Sequence, residues 1–266
     1  MATIRAVFAL PFIAVLPLWG AALSAGMPLT GIYAGVVAAG LLQLAWVWRR
    51  WPRDDEAPWQ EVKSGLPFTA ALSEILAPSV LLRVLLVGAI NSGAAVSGAV
   101  LGLILTQAGR PDADLGLFFG GSVGLEVVVM MSVGAFTPYL RRLHLVGIGA
   151  LFYAAYLALL PLAAPSAWLW ALVPLQAIGG GLIFALSIAY LQDLLALRAG
   201  AGAALLSVER AGAEGMAAGL FGLGTAMAGY GLVAALGAAL VVTGMGWLLG
   251  LDRRRDKRQS KNPGPA

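Results

Sequence analysis

The feature that most constrains this chain is the run from Leu115 to Arg142, LGLFFGGSVGLEVVVMMSVGAFTPYLRR, apolar except for one carboxylate near its middle and two arginines at its end. A helix rises about 1.5 Å per residue and a hydrocarbon core is about 30 Å thick, so roughly twenty apolar residues cross it. Similar runs occupy approximately Ala6 to Leu23, Leu29 to Val47, Val84 to Leu105, Leu145 to Leu162, Trp168 to Tyr190, Leu205 to Met227 and Gly231 to Leu249. In lipid only helices and closed barrels satisfy the backbone, and these unbroken runs lack the period-two alternation of barrel strands. The expected fold is therefore an all-α integral membrane protein of about eight transmembrane helices. Charged residues make up 11% of the chain, whereas a soluble domain carries about a quarter. The first run lacks a small-residue cleavage site and reads as a retained span.

Several function classes fall away. The chain has no cysteine, which rules out disulfides, thiolate chemistry and cysteine-ligated metal. No nucleophile–base constellation, metal-ligand spacing or phosphate-cradling glycine loop is legible, so neither an enzyme, a catalytic residue, a bound metal nor a cofactor is expected. The net charge of +4 comes from short loops and the tail, where a bilayer accounts for it better than nucleic acid does. Arg49, Arg50, Arg53, Lys63, Arg141, Arg142, Arg198 and the tail fall on one side, and Arg110 beside Asp112 and Asp114 on the other. By the positive-inside rule both termini of this multi-pass chain are cytoplasmic, and the expected location is a bacterial inner membrane.

The longest polar interruption begins at Arg49 and divides two spans from six. The organisation read from it is a two-helix segment at 1–48, a cytoplasmic linker at 49–82, a six-helix bundle at 83–250 and a basic cytoplasmic tail at 251–266.

Ionisable and amide groups inside the spans are the candidate functional residues. Glu126 sits near the midplane, where a charged side chain costs on the order of 3 kcal/mol on insertion scales and faces protein or water instead of lipid. Arg210 and Glu214 are four residues apart and share a helix face, so they can neutralise one another, while Glu209 points elsewhere. Asn91 and Gln176 carry both donors and acceptors and suit either sugar hydroxyls or interhelical bonding. Arg141, Arg142 and Asp193 fall at cytoplasmic helix ends, as loop or gating groups. Glycines four apart (Gly98 with Gly102, Gly120 with Gly124, Gly215 with Gly219) read as close helix contacts. Gly179-Gly180-Gly181 reads as a weak point of its span, and Pro11 and Pro17 as kinks in the first.

Three stretches carry a family resemblance: Gly124-Leu125-Glu126 with Tyr139-Leu140-Arg141-Arg142, Tyr190-Leu191-Gln192-Asp193-Leu194 with Arg198-Ala199-Gly200, and Ser207-Val208-Glu209-Arg210-Ala211-Gly212. From about Val84 onward the chain resembles the C-terminal half of a major facilitator superfamily transporter, within it the sugar efflux transporters. The first two spans resemble the last two helices of an N-terminal half. The resemblance implies a fold truncated at its N-terminus, the fragment of a twelve-span protein or, if Met1 is the true start, a homodimer. It also implies export of a sugar or glycoside driven by a proton gradient, with Glu126 as the proton or sugar carboxylate, Arg210 its electrostatic partner, and Asn91 and Gln176 contacting hydroxyls. An exporter of amphipathic drugs and a non-transporting membrane scaffold are the alternatives.

Overall fold

The computed structural model describes residues 2–51, 73, 76–137, 139–194 and 201–261, with side chains described from 13 to 51, at 73, and over 76–137, 139–194 and 205–253. Most of the expected linker, Arg198 and the last five residues lie outside them. The described chain is all helical. In order it forms α1 (Ala2–Ser24), α2 (Leu29–Arg50), α3 (Pro78–Gln107), α4 (Asp112–Phe136), α5 (Arg142–Ala163), a 3-10 turn (Ala167–Ala171), α6 (Leu172–Leu194), α7 (Ala201–Met227) and α8 (Tyr230–Lys261).

Among the described residues, six helical segments are long and apolar enough to cross a membrane: α2, α3, α4, α5, the turn together with α6, and α8 as far as Arg253. This supports a multi-pass membrane protein. α7 carries Glu209, Arg210 and Glu214 in its first half and is correspondingly less apolar. In α1 the apolar stretch counted is Ile13–Ser24.

Proline opens α3 at its first position, where the missing N–H would have had no helical partner. Gly109 and Gly229 adopt positive φ between successive helices, the conformation that lets a chain reverse direction in few residues. α3 packs along α7 and α8, α5 along α6 and α8, and α4 along α6. The core is continuous among these helices, with Tyr156, Phe118, Leu157 and Val84 fully buried. α1 lies along α4, whereas α2 buries none of its residues.

Glycine decides how close the helices come. On α4 the stripe Gly116, Gly120 and Gly124 receives α1: a methyl at Gly120 would lie 2.5 Å from the Pro17 ring, and one at Gly116 3.0 Å from the Cα of Gly20. The proline thus fits a glycine notch within a continuous helix. The other two glycine pairs behave differently: Gly98 and both Gly215 and Gly219 have nothing within 4 Å of an added methyl. The expected weak point in α6 is a close-contact platform instead. Methyls at Gly179, Gly180 and Gly181 would meet the Tyr153 backbone, the Glu126 carboxylate and Val129, each within 3.4 Å. The helix continues without a break because neighbours on two other helices hold it there.

Polar ties fasten both ends. Arg110, between α3 and α4, donates Nε–H to the Ala164 carbonyl at 2.9 Å, donates Nη2–H to the Ser166 carbonyl, and pairs with Asp114 at 3.2 Å. At the opposite end Arg83 donates to the Tyr190 hydroxyl at 2.7 Å and pairs with Asp252 at 3.2 Å, joining α3, α6 and α8. Arg142 of α5 pairs with Asp193 of α6 at 2.7 Å.

Candidate functional site

A cavity of about 870 Å³ opens between α3, α6 and α7. Small residues make it: Ala94, Ala95, Gly98 and Ala99 line α3, leaving a concave wall where larger side chains would have filled the seam. α6 contributes Phe184, Ser187 and Ile188, and α7 contributes Leu206, Ser207, Glu209, Arg210, Ala213 and Glu214. The exposed side chains of Ser207, Arg210 and Glu214 mark its mouth.

Glu209 is the deepest charged group, 6% exposed. The backbones of α3 and α7 meet beside it, since a methyl at Gly88 would stand 3.0 Å from the Glu209 carbonyl oxygen. That approach brings Asn91 within reach, and its Nδ2 donates to Glu209 Oε1 at 2.7 Å. An ionised carboxylate only accepts, so the amide must turn its NH₂ toward Glu209. The carbonyl oxygen of that amide is left over: Asn91 Oδ1 is buried with no partner, and so is Ser187 Oγ, on a residue 3% exposed. Both residues line the cavity. A buried polar group left unmatched costs about 1–3 kcal/mol, a cost that each of these two residues carries at the cavity wall.

Glu126 lies elsewhere. It is half-buried on α4, and its carboxylate packs over Gly180, where an added methyl would be 3.4 Å from Cδ. It does not line the cavity. Gln176 belongs to a second polar cluster: its Oε1 accepts from Ser122 Oγ at 2.9 Å, and its side chain reaches the Tyr153 hydroxyl. In the same cluster Ser97 and Tyr156 share a hydrogen bond of 2.8 Å. Tyr156 stacks on Phe118 with ring centroids 6.1 Å apart and meets Tyr153 edge-on at 5.4 Å. Gln176 is thus bonded within the helix packing, away from the cavity.

Two expected pairings do not form. Among the described residues Arg210 makes no ion pair with Glu126 or with Glu214. Arg210 and Glu214 both reach the cavity mouth, while Glu126 is not part of the cavity lining and packs over Gly180 of α6. Glu209, which the sequence reading pointed away from its neighbours, is the carboxylate that α7 turns inward. Of the loop candidates, Arg142 and Asp193 are joined at the surface, and Arg141 lies beside them in a shallower pocket of about 400 Å³ with His144, Asp252 and Arg253.

Ser187 and the buried, cavity-lining position of Glu209 were missed by sequence reasoning. Asn91 lies 13 residues beyond the start of α3 at Pro78 and Glu209 eight beyond the start of α7 at Ala201, about 20 Å and about 12 Å into their helices, so position along the helices alone does not pair them. No family model matches the chain, and no curated protein and no solved structure matches it.

Proposed function

We propose that this chain acts as a secondary active transporter of the major facilitator type. The cavity between α3, α6 and α7 holds a small-molecule cargo, and Glu209 is the carboxylate that exchanges a proton. The observation that carries this reading is the buried Asn91–Glu209 pair, set in a large cavity of an apolar helical bundle beside two unmatched polar atoms. A carboxylate at membrane depth is costly unless matched, and such groups mark substrate paths and proton relays. Transporters built from two bundles bind cargo between them near the midplane, and the open mouth of this cavity is where an opposing wall would stand.

The resemblance of the sequence adds direction and cargo: outward movement of a sugar or glycoside against inward proton flow across a bacterial inner membrane. We assign the coupling role to Glu209 in place of Glu126 because Glu209 lines the cavity, whereas the Glu126 carboxylate packs over Gly180. Arg210 and Glu214 at the mouth meet cargo on entry, and Asn91 orients Glu209.

The test is flux in proteoliposomes with an imposed pH gradient, using a labelled sugar, a labelled glycoside and a cationic dye. Gradient-driven uptake of one of them, lost in Glu209→Gln and retained in Glu126→Gln, is expected. Gradient-driven uptake that persists in Glu209→Gln removes that residue from coupling. No driven flux for any cargo, with a stable partner protein on gentle extraction, points to a scaffold.

A further inference from the structure

α7 turns two charges outward at membrane depth. Glu214 lies thirteen residues from each end of the helix, Arg210 lies four residues before it, and both side chains are exposed. α7 packs along α3 and α8, which are long and apolar enough to cross a membrane, so Glu214 stands near mid-depth. Among the described residues neither side chain has an ion-pair or hydrogen-bond partner. A charge held there against hydrocarbon is costly, which argues against a lipid-facing surface. The residues around it agree. At about 100° per residue, the exposed Ser207, Ala211, Ala218 and Gly222 fall within about 80° of Glu214. The large exposed side chains of α7, Val208, Leu223 and Met227, stand about 120° or more away. Gly98 of α3, exposed at the cavity mouth, likewise has nothing within 4 Å of an added methyl. Helices meet one another in lipid through such small residues. α2 shows the opposite pattern, with Leu41, Leu42 and Trp46 exposed.

We infer that a second copy of this chain covers the α3–α7 face, in a dimer with its two-fold axis along the membrane normal, where Arg210 of each copy pairs with Glu214 of the partner subunit. Charge complementarity selects that occupant. The exposed face carries one guanidinium and one carboxylate, so it is its own complement, as an isologous contact requires. With both copies inserted the same way the two α7 helices run parallel. Arg210 then stands four residues, about 6 Å along the axis, from the level of Glu214 of the partner subunit, an offset that its long side chain spans. The two pairs leave the four charges neutral, each guanidinium donating to a carboxylate. The small residues beside them let the backbones come close enough for those pairs to form. Because Arg210, Glu214 and Gly98 line the cavity, the two cavities then open toward one another and away from lipid. The inference names the partner that encloses the cavity, and rests on the transport reading given above only for the use of the enclosed space.

The experiment counts subunits by single-molecule photobleaching of the fluorescently tagged full chain in dilute liposomes. The chain is expected to bleach in two steps, and Arg210→Glu or Glu214→Arg alone in one. Mixing these two variants is expected to restore two-step bleaching, because in the mixed pair every reversed charge again faces its opposite across the axis. A contact made within one chain, or with a different protein, is not rescued by mixing. Ala218→Phe changes no charge but blocks close approach, so it lowers the two-step share several-fold and covers the case in which the charge variants do not fold. Val37→Phe, on the exposed surface of α2, leaves that share unchanged. One-step bleaching of the unaltered chain, two-step bleaching that survives Ala218→Phe or both charge reversals, failure of mixing to restore it, or a stable complex with a different protein in its place overturns the inference. Driven flux in the same liposomes separates the two claims. Dimers rescued by mixing, with no driven flux of any cargo, support the pairing and remove transport. Driven flux by a chain that bleaches in one step leaves transport standing and removes the pairing.

Discussion

Replacing Gly179 by alanine tests how far glycine sets the spacing of the bundle. The new methyl would lie 2.7 Å from the Tyr153 amide nitrogen and 2.9 Å from its Cα, against a relaxed contact near 3.5–4.0 Å. Those are backbone atoms and cannot rotate away. From the opposite side Gly149 of α5 is equally confined, a methyl there standing 2.8 Å from Leu182 Cβ and 3.1 Å from the Gly179 carbonyl oxygen. Relief requires α5 and α6 to part by about 0.8 Å, and a gap of 0.5–1 Å forfeits a quarter to a half of each dispersion contact along the seam. Overpacking of this kind costs about 1–3 kcal/mol. In water, alanine would recover about 1 kcal/mol through helix propensity. In a bilayer the separated helices keep their backbone bonds, so that gain largely cancels and the steric term stands alone. The control is Gly215→Ala, where nothing lies within 4 Å of the added methyl. Thermal unfolding of both variants in one detergent should show Gly179→Ala lowered by about 3–10 °C and Gly215→Ala unchanged. Equal melting temperatures for the two would refute the packing argument.

Two further outcomes follow from the polar ties. Ser97→Ala leaves the buried Tyr156 hydroxyl without the partner it has at 2.8 Å, costing about 1–3 kcal/mol; adding Tyr156→Phe should restore most of it, and a double-mutant cycle by thermal unfolding measures the coupling. Arg142→Ala should change stability by less than about 1 kcal/mol, because that side chain and its partner Asp193 are 53% and 63% exposed, whereas Arg110→Ala, which strips two loop carbonyls and Asp114 of their donor, should cost about 1–3 kcal/mol in the same assay.

How much of this was legible in the sequence differs by level. The run through α4 needed only its length to be read as a helix, since lipid leaves an apolar segment few alternatives. Asn91, Arg210 and Glu214 were found because a polar group within an apolar run is conspicuous. Glu209 and Arg210 are adjacent, yet their side chains leave α7 about 100° apart, and hydropathy is blind to which faces another helix. Only the approach of α3 at Gly88 decides that Glu209 turns inward. Glu126 shows the complementary limit: depth in a span marks a residue as costly, but that its carboxylate packs over Gly180 depends on a neighbour more than fifty positions away. The Gly179 to Gly181 triplet looked like flexibility when read locally, and its close contacts exist only in the packed bundle.

The fastenings at the two ends carry a mechanical consequence. Arg110 binds the turns that follow α3 and α5, while Arg83 and Arg142 bind the far ends of α3, α5, α6 and α8 to one another. Helices pinned together top and bottom form a strut that can tilt as a whole but resists bowing apart at mid-height. The cavity between α3, α6 and α7 borders this fastened set, and the Asn91–Glu209 bond ties α7 to it as well, so a movement of α7 away from α3 must break that bond.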